Sequence, residues 1–209
     1  FIEEYPVAMA YRDDRINRIW EGTNEINRAI ISGYMMKKVL TEEISLRDFL
    51  KDLNTFIAAD VQANSQDNFA IEKHAVQATK KLVVLIFQEA LCEFGQDLKH
   101  EQQLSEAFAD IFTHIYTSES VICRVQQTLS SNGTSNMPVN IARINVAESL
   151  LEVRSLSAKC LNRIFSEDVP TSIMRSVTKL HDIINLDTDT ISLKKDLGEF
   201  MIDRKDYPF

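Results

Sequence analysis

The strongest structural signal in this sequence is a stripe of apolar side chains at helical spacing between positions 104 and 129. They recur every three, four or seven residues, as one face of a long helix requires: Leu104, Phe108, Ile111, Ile115, Ile122, Val125 and Leu129. Similar patterns predict helices at 46–59, 68–94, 139–165, 171–185 and 191–202. Six long helical segments with short connections, and only five Gly and four Pro in 209 residues, favour an all-α, up-and-down antiparallel helical bundle over a β-rich fold.

Two shorter helices are predicted ahead of these segments. Pro6 suits the first turn of one helix, and a second begins at Thr23 or Asn24 with a capping residue and with Glu25 in its first turn. We therefore divide the chain into a small helical piece at 1–40 and an appended bundle at 41–209. The chain begins with Phe and its first six residues lack the basic and apolar regions of a signal peptide, so we expect it to start within a longer protein.

Charge and composition exclude several classes of function. The net charge of −8 and the pI near 5.1 disfavour a nucleic-acid partner and simple adsorption to an anionic membrane. The longest strongly apolar run, 82–87, is far shorter than the ~20 residues that span a bilayer, so we predict no transmembrane segment. None of the four histidines has a spacing typical of metal ligands, so we predict no metal site.

Cysteine usage bears on the compartment. Cys92, Cys123 and Cys160 are widely separated and form no Cys-x-x-Cys pair, which favours reduced thiols in helix interfaces over disulfides. A bacterial cytoplasm or a compartment like the mitochondrial matrix follows as an expectation. The charged groups at 72–74 and 80–81 are interpreted as solvated helix faces, and the polar segment 130–139 as a flexible connection or, alternatively, a contact to a membrane or partner protein.

One turn carries residues suited to chemistry. Glu21 lies between Trp20 and Gly22, just ahead of a predicted helix. Burial beside the indole would raise the pKa of Glu21 toward working pH, as a general base requires, and Gly22 would let a ligand approach the backbone closely. A helix-entry carboxylate that interacts with the helix dipole is the structural alternative, and the residues alone leave both readings open.

A longer motif around this turn resembles a known family. Residues 11–28 read Tyr-Arg-Asp-Asp-Arg-Ile-Asn-Arg-Ile-Trp-Glu-Gly-Thr-Asn-Glu-Ile-Asn-Arg. They resemble the catalytic-base segment of the acyl-CoA dehydrogenases, with the order and spacing of its charged, aromatic and glycine residues intact. The resemblance implies a flavoprotein oxidoreductase of fatty acid β-oxidation, using FAD, with fatty acyl-CoA as substrate, electron-transfer flavoprotein as redox partner, and a homodimeric state.

The resemblance also implies roles for single residues. Glu21 would remove the α-proton of the thioester, and its backbone N–H would polarise the thioester carbonyl, beside Gly22 in the substrate site. Trp20 would form part of the wall against the flavin and acyl chain, and Thr23 and Glu25 would contact FAD. Relatives often carry an amide or Asp at the position of Glu25. At position 33 this chain has glycine where some medium-chain relatives have an arginine. This difference and the long C-terminal region together indicate the long- or very-long-chain type.

The same sequence allows a second reading. The motif lies so near the start of the chain that most of the flavin site would be missing, so we expect this chain alone neither to retain FAD nor to oxidise acyl-CoA. Residues 41–209 then serve as a helical interaction module for dimerisation, or for docking to a membrane or a partner enzyme. The two readings are compatible within one longer protein.

Overall fold

A computed structural model describes residues 2–59, 67–132, 136–166 and 168–204. Within these ranges the chain forms α-helices, one 3-10 helix (Gly95–His100) and no strand, which confirms the predicted all-α fold. The α-helices are α1 (Pro6–Ile16), α2 (Asn24–Leu40), α3 (Leu46–Leu50), α4 (Leu53–Ala58), α5 (Ala70–Phe94), α6 (Gln102–Asn132), α7 (Met137–Phe165), α8 (Thr171–Ile184) and α9 (Thr190–Arg204).

The core lies among the three longest helices. Helices α5, α6 and α7 pack against one another, α8 packs on α5 and α9 on α7, and α2 lies along α6. The stripe predicted on α6 is buried, apart from Leu129 at its end, which is half-buried. Phe108 of this stripe meets Phe87 of α5 edge to face, with ring centroids 5.0 Å apart. The periodicity of α6 thus identified the face that the other helices cover.

The predicted helix at 46–59 is wrong, because two short helices, α3 and α4, occupy this segment with a turn at Lys51 and Asp52 between them. A contact from α5 accounts for the turn. Lys81 donates hydrogen bonds to the Phe49 carbonyl oxygen at 3.0 Å and to the Asp52 carboxylate at 2.6 Å. These bonds compensate for the burial of its ammonium group, and they favour a broken helix over a continuous one.

Two charged side chains that we predicted to be solvated are buried. The Lys81 side chain is 9% exposed and lies over the rings of Phe49 and Phe56. Glu72 is equally buried and accepts a hydrogen bond from Arg143 of α7 at 3.0 Å. Buried charges are tolerated when they are paired and hydrogen-bonded. Each partner comes from a distant part of the chain, so local sequence gave no sign of it.

Other differences concern connections and thiols. The 3-10 helix lies between α5 and α6. The connection predicted at 130–139 is shorter than expected, because α6 continues to Asn132 and α7 begins at Met137. Residues 133–135 lie outside the described residues. Cys160 is buried between helices as predicted, whereas Cys92 and Cys123 are exposed, so the interface prediction is wrong for these two. Among the described residues, no helix is both long enough and apolar enough to cross a bilayer.

Candidate functional site

The turn between α1 and α2 has an unusual backbone. Glu21 and Gly22 are consecutive left-handed residues, with φ of 55° and 95°. The turn is closed by the Asn24 N–H, which donates to the Arg18 carbonyl oxygen at 3.2 Å. A Cβ at Gly22 would lie 3.2 Å from Oδ1 of Asn27, whose amide nitrogen donates to the Gly22 carbonyl oxygen. The positive φ therefore favours glycine at position 22, where a Cβ would also crowd the Asn27 side chain.

Glu21 occupies a conformation that non-glycine residues adopt uncommonly, and such residues cluster at functional sites. Its side chain is exposed, and Trp20 beside it is 59% exposed. The indole N–H donates to Oδ1 of Asn17 at 3.0 Å, on the α1 side of the turn. The predicted burial of Glu21 beside Trp20 is thus wrong for this chain, because the whole turn lies at its surface.

The start of α2 is capped by two predicted site residues. Thr23 is the N-cap residue, and its hydroxyl accepts a hydrogen bond from the Ile26 N–H at 3.3 Å. The pKa of Glu25 is lowered by hydrogen bonds from its own backbone N–H and from the Thr23 hydroxyl. The Glu25 carboxylate is therefore ionised and engaged in capping the helix.

Helix α2 contacts the bundle at two positions along its length. In its C-terminal half, Met36 and Val39 pack against the apolar core. Closer to the turn, Nε of Arg28 donates to Oδ1 of Asp110 on α6 at 2.6 Å, with a carboxylate oxygen of Glu106 at 3.8 Å. The hydrogen bond to Asp110 is the main cause of a raised pKa at Arg28, so the guanidinium stays charged. Arg28 closes the motif in the sequence, but nothing in the sequence predicted its partners on α6.

A cleft of about 370 Å³ separates the first turns of α2 from the 3-10 helix and the start of α6. Ala29 and Gly33 line its α2 side, and a Cβ at Gly33 would meet no atom within 4 Å. Phe87 and Phe108 contribute to its apolar lining. The described residues contain no cluster of three or more His, Cys, Asp or Glu that could hold a metal ion.

Comparisons with known proteins place this chain among relatives of one kind. A family model described as acyl-CoA dehydrogenase, C-terminal domain, matches residues 78–179, and a second model of the same description matches residues 1–36. A Bacillus subtilis protein described as a probable acyl-CoA dehydrogenase is 29% identical over 183 residues, covering 86% of this chain and 31% of that protein. The bovine mitochondrial short-chain specific acyl-CoA dehydrogenase is 43% identical over 37 residues, which are 18% of this chain and 9% of that protein.

A solved structure shows the same fold. The crystal structure of an acyl-CoA dehydrogenase complexed with FAD from Bacillus anthracis matches with a TM-score of 0.87 at 24% identity, covering 100% of this chain and 36% of that one. The chain belongs to the acyl-CoA dehydrogenase family. It spans about a third of the length of the relatives that match it along most of its own length.

Proposed function

We propose that this chain is the C-terminal part of a flavin-dependent acyl-CoA dehydrogenase in which Glu21 is the base that removes the α-proton of a fatty acyl-CoA thioester. The observation that carries the proposal is the left-handed pair at Glu21 and Gly22, on an exposed turn directly before a capped helix. Strain of this kind persists where the surrounding structure holds it in place. Here the turn's own hydrogen bonds and the Thr23 cap hold it.

The proposed chemistry uses few groups of this chain. The Glu21 carboxylate accepts the α-proton, the electron pair of that C–H bond forms the new double bond, and the β-hydrogen leaves as hydride. Bound FAD would supply the acceptor for that hydride. The backbone N–H of Glu21 would stabilise negative charge on the thioester oxygen, because a fixed donor needs no reorganisation when charge develops. A carboxylate in water is a weak base, so we infer that bound substrate and cofactor cover Glu21 and exclude water from it.

The residues of the turn fit a flavin unequally. The exposed indole of Trp20 can lie against an aromatic ring system, and Gly22 leaves room for close approach to the backbone. The Thr23 hydroxyl, at a helix N-terminus, is a suitable polar contact. Glu25 fits less well, because its carboxylate is ionised and already engaged in capping. We therefore propose Trp20 and Thr23 as flavin contacts, and Glu25 as a residue that preserves the shape of the turn.

The first forty residues carry many exposed apolar side chains. Large contiguous apolar patches are rare on monomeric proteins and mark interaction sites. Most of the exposed large apolar side chains described lie in this part of the chain: Ile2, Tyr5, Val7, Met9, Tyr11, Ile16, Ile19, Trp20, Ile26, Ile30, Ile31, Tyr34 and Leu40. We propose that they meet the rest of the enzyme, and that residues 1–40 belong to its catalytic region while 41–209 form the appended bundle.

Substrate length and partners are further parts of the proposal. The absence of a side chain at Gly33 and the long helical region after residue 40 are the features of this chain that favour a long-chain substrate. Transfer of electrons to an electron-transfer flavoprotein and assembly as a homodimer follow from the resemblance alone. Reduction of the enzyme by palmitoyl-CoA but not by butyryl-CoA would support the long-chain assignment.

The decisive experiment compares two glutamates in the flavin-loaded whole protein. Glu42 is a matched control for Glu21, because it is also exposed and also left-handed, with φ of 59°. We expect Glu21→Gln to bind FAD but to lose at least a hundredfold in the rate at which palmitoyl-CoA bleaches the flavin absorbance, within the range that general-base catalysis contributes. Glu42→Gln should keep the rate of the unaltered enzyme. Equal rates in the two variants would refute the assignment of Glu21.

A further inference from the structure

The half of α2 nearest to the turn has little apolar packing. Ile26 and Ile30 are 53% and 61% exposed, and the cleft separates this part of the helix from the start of α6. By contrast, Met36 and Val39 anchor the other half in the core. The position of the turn relative to the bundle therefore depends on what bridges α2 and α6 near residue 28.

Arg28 makes that bridge. Its side chain and that of Asp110 are about one-third exposed, at 32% and 29%, and Nε of Arg28 lies 2.6 Å from Oδ1 of Asp110. Charge-assisted hydrogen bonds of this length are roughly twice as strong as neutral ones. Glu106, one turn before Asp110 on α6, adds a second negative charge at 3.8 Å. Arg28 lies only five residues after the N-cap residue Thr23, so its bond to Asp110 holds α2 close to the capped turn.

We propose that Arg28, held by Asp110 and Glu106, is a positioning residue for Glu21, and that the bundle thereby sets the geometry of the proposed active site. This inference rests on the proposed function of Glu21. The bundle then has a role in turnover besides packing, because α6 supplies the carboxylates that fix the start of α2. A misplacement of about 1 Å at a reacting group can cost on the order of a hundredfold in rate, so the loss of a partly exposed ion pair can lower turnover while the fold survives.

The test uses Arg28→Gln and Asp110→Asn in the flavin-loaded whole protein, with Arg163→Gln as the matched control. Arg163 of α7 also donates from Nε to a carboxylate, that of Glu101, at 2.9 Å, and this bond does not involve α2. We expect both variants of the bridge to lower kcat about tenfold with little change in KM or in flavin content. Arg28→Lys should restore most of kcat, since a lysine keeps the charge, and Arg163→Gln should leave kcat unchanged.

A second readout needs neither flavin nor substrate. Hydrogen exchange of the 209-residue chain should become severalfold faster at backbone amides 24–30 in Arg28→Gln and stay unchanged there in Arg163→Gln. Wild-type kcat in Arg28→Gln, while Glu21→Gln is inactive, would overturn this inference alone. A loss of thermal stability or flavin content without a loss of kcat per flavin would also overturn it, because Arg28 would then be purely structural. Full turnover in Glu21→Gln would overturn both proposals.

Discussion

Two fully buried serines provide a sensitive test of the packing. Ser118 lies on the same face of α6 as the apolar stripe, and its hydroxyl has no hydrogen-bond partner among the described residues. Ser157 of α7 donates to the Arg154 carbonyl oxygen at 2.8 Å, and its oxygen lies 2.9 Å from Nε2 of His181 on α8. The same change to alanine should therefore have opposite effects at the two positions, because only one hydroxyl has partners to lose.

The magnitudes follow from three contributions. A change from serine to alanine within a helix stabilises the folded chain by about 0.5 kcal/mol through helix propensity alone. Ser120→Ala measures this contribution, because Ser120 is exposed on the same helix. Removing the unpaired hydroxyl of Ser118 should add about 1 kcal/mol. At Ser157 the change leaves the His181 nitrogen unpaired, so we expect a net loss of about 1 kcal/mol. The free energies of unfolding of the two variants should thus differ by about 2.5 kcal/mol.

Urea unfolding followed by far-UV circular dichroism gives these free energies, provided that the m-values agree between variants. The melting temperatures should separate by roughly 5–10 °C for a chain of this size. If Ser118→Ala proved less stable than Ser120→Ala, the Ser118 hydroxyl would have to be making a favourable contact, and the reasoning would be refuted. A stabilising Ser157→Ala would likewise show that the bond to His181 contributes nothing.

Two further predictions concern titration and thiol reactivity. Burial, followed by the charge of Arg154, lowers the pKa of His181 in the folded chain. The stability that neutral His181 contributes should therefore be complete above pH ~6.5 and should fall as the pH drops through the lowered pKa of the folded chain. The urea midpoint should show this pH dependence, and His181→Gln should reduce it. Burial raises the pKa of Cys160 to about 12, so a thiol reagent should label the exposed Cys92 and Cys123 in the native chain and Cys160 only on unfolding. Labelling of Cys160 at the rate of Cys92 would contradict its burial.

The parts of the fold that followed from sequence are those set by local periodicity. The α6 stripe identified a buried face correctly, because a helix that covers one side must repeat its apolar residues at about 3.6-residue spacing. Thr23 as a helix start was also predictable, since the capping hydroxyl acts within three residues. The break at Asp52 was not, because it depends on Lys81, twenty-nine positions away. The pairing of Arg28 with Asp110 spans eighty-two positions and left no trace in either local pattern.

The candidate site shows the same division between local and distant causes. The left-handed backbone at Glu21 and Gly22 arises within the turn, and the motif indicated both residues. The exposure of the Glu21 side chain depends on whether other parts of the protein cover the turn, and the spacing of residues in the sequence does not predict this. Helix α2 connects the candidate site to the bundle. Its first turn carries residues of the proposed site, and Met36 and Val39 in its last turns pack against the bundle core. A division at residue 40 therefore separates two stretches of sequence that share one packed interior, and a chain beginning at residue 41 would expose the part of the core that Met36 and Val39 cover.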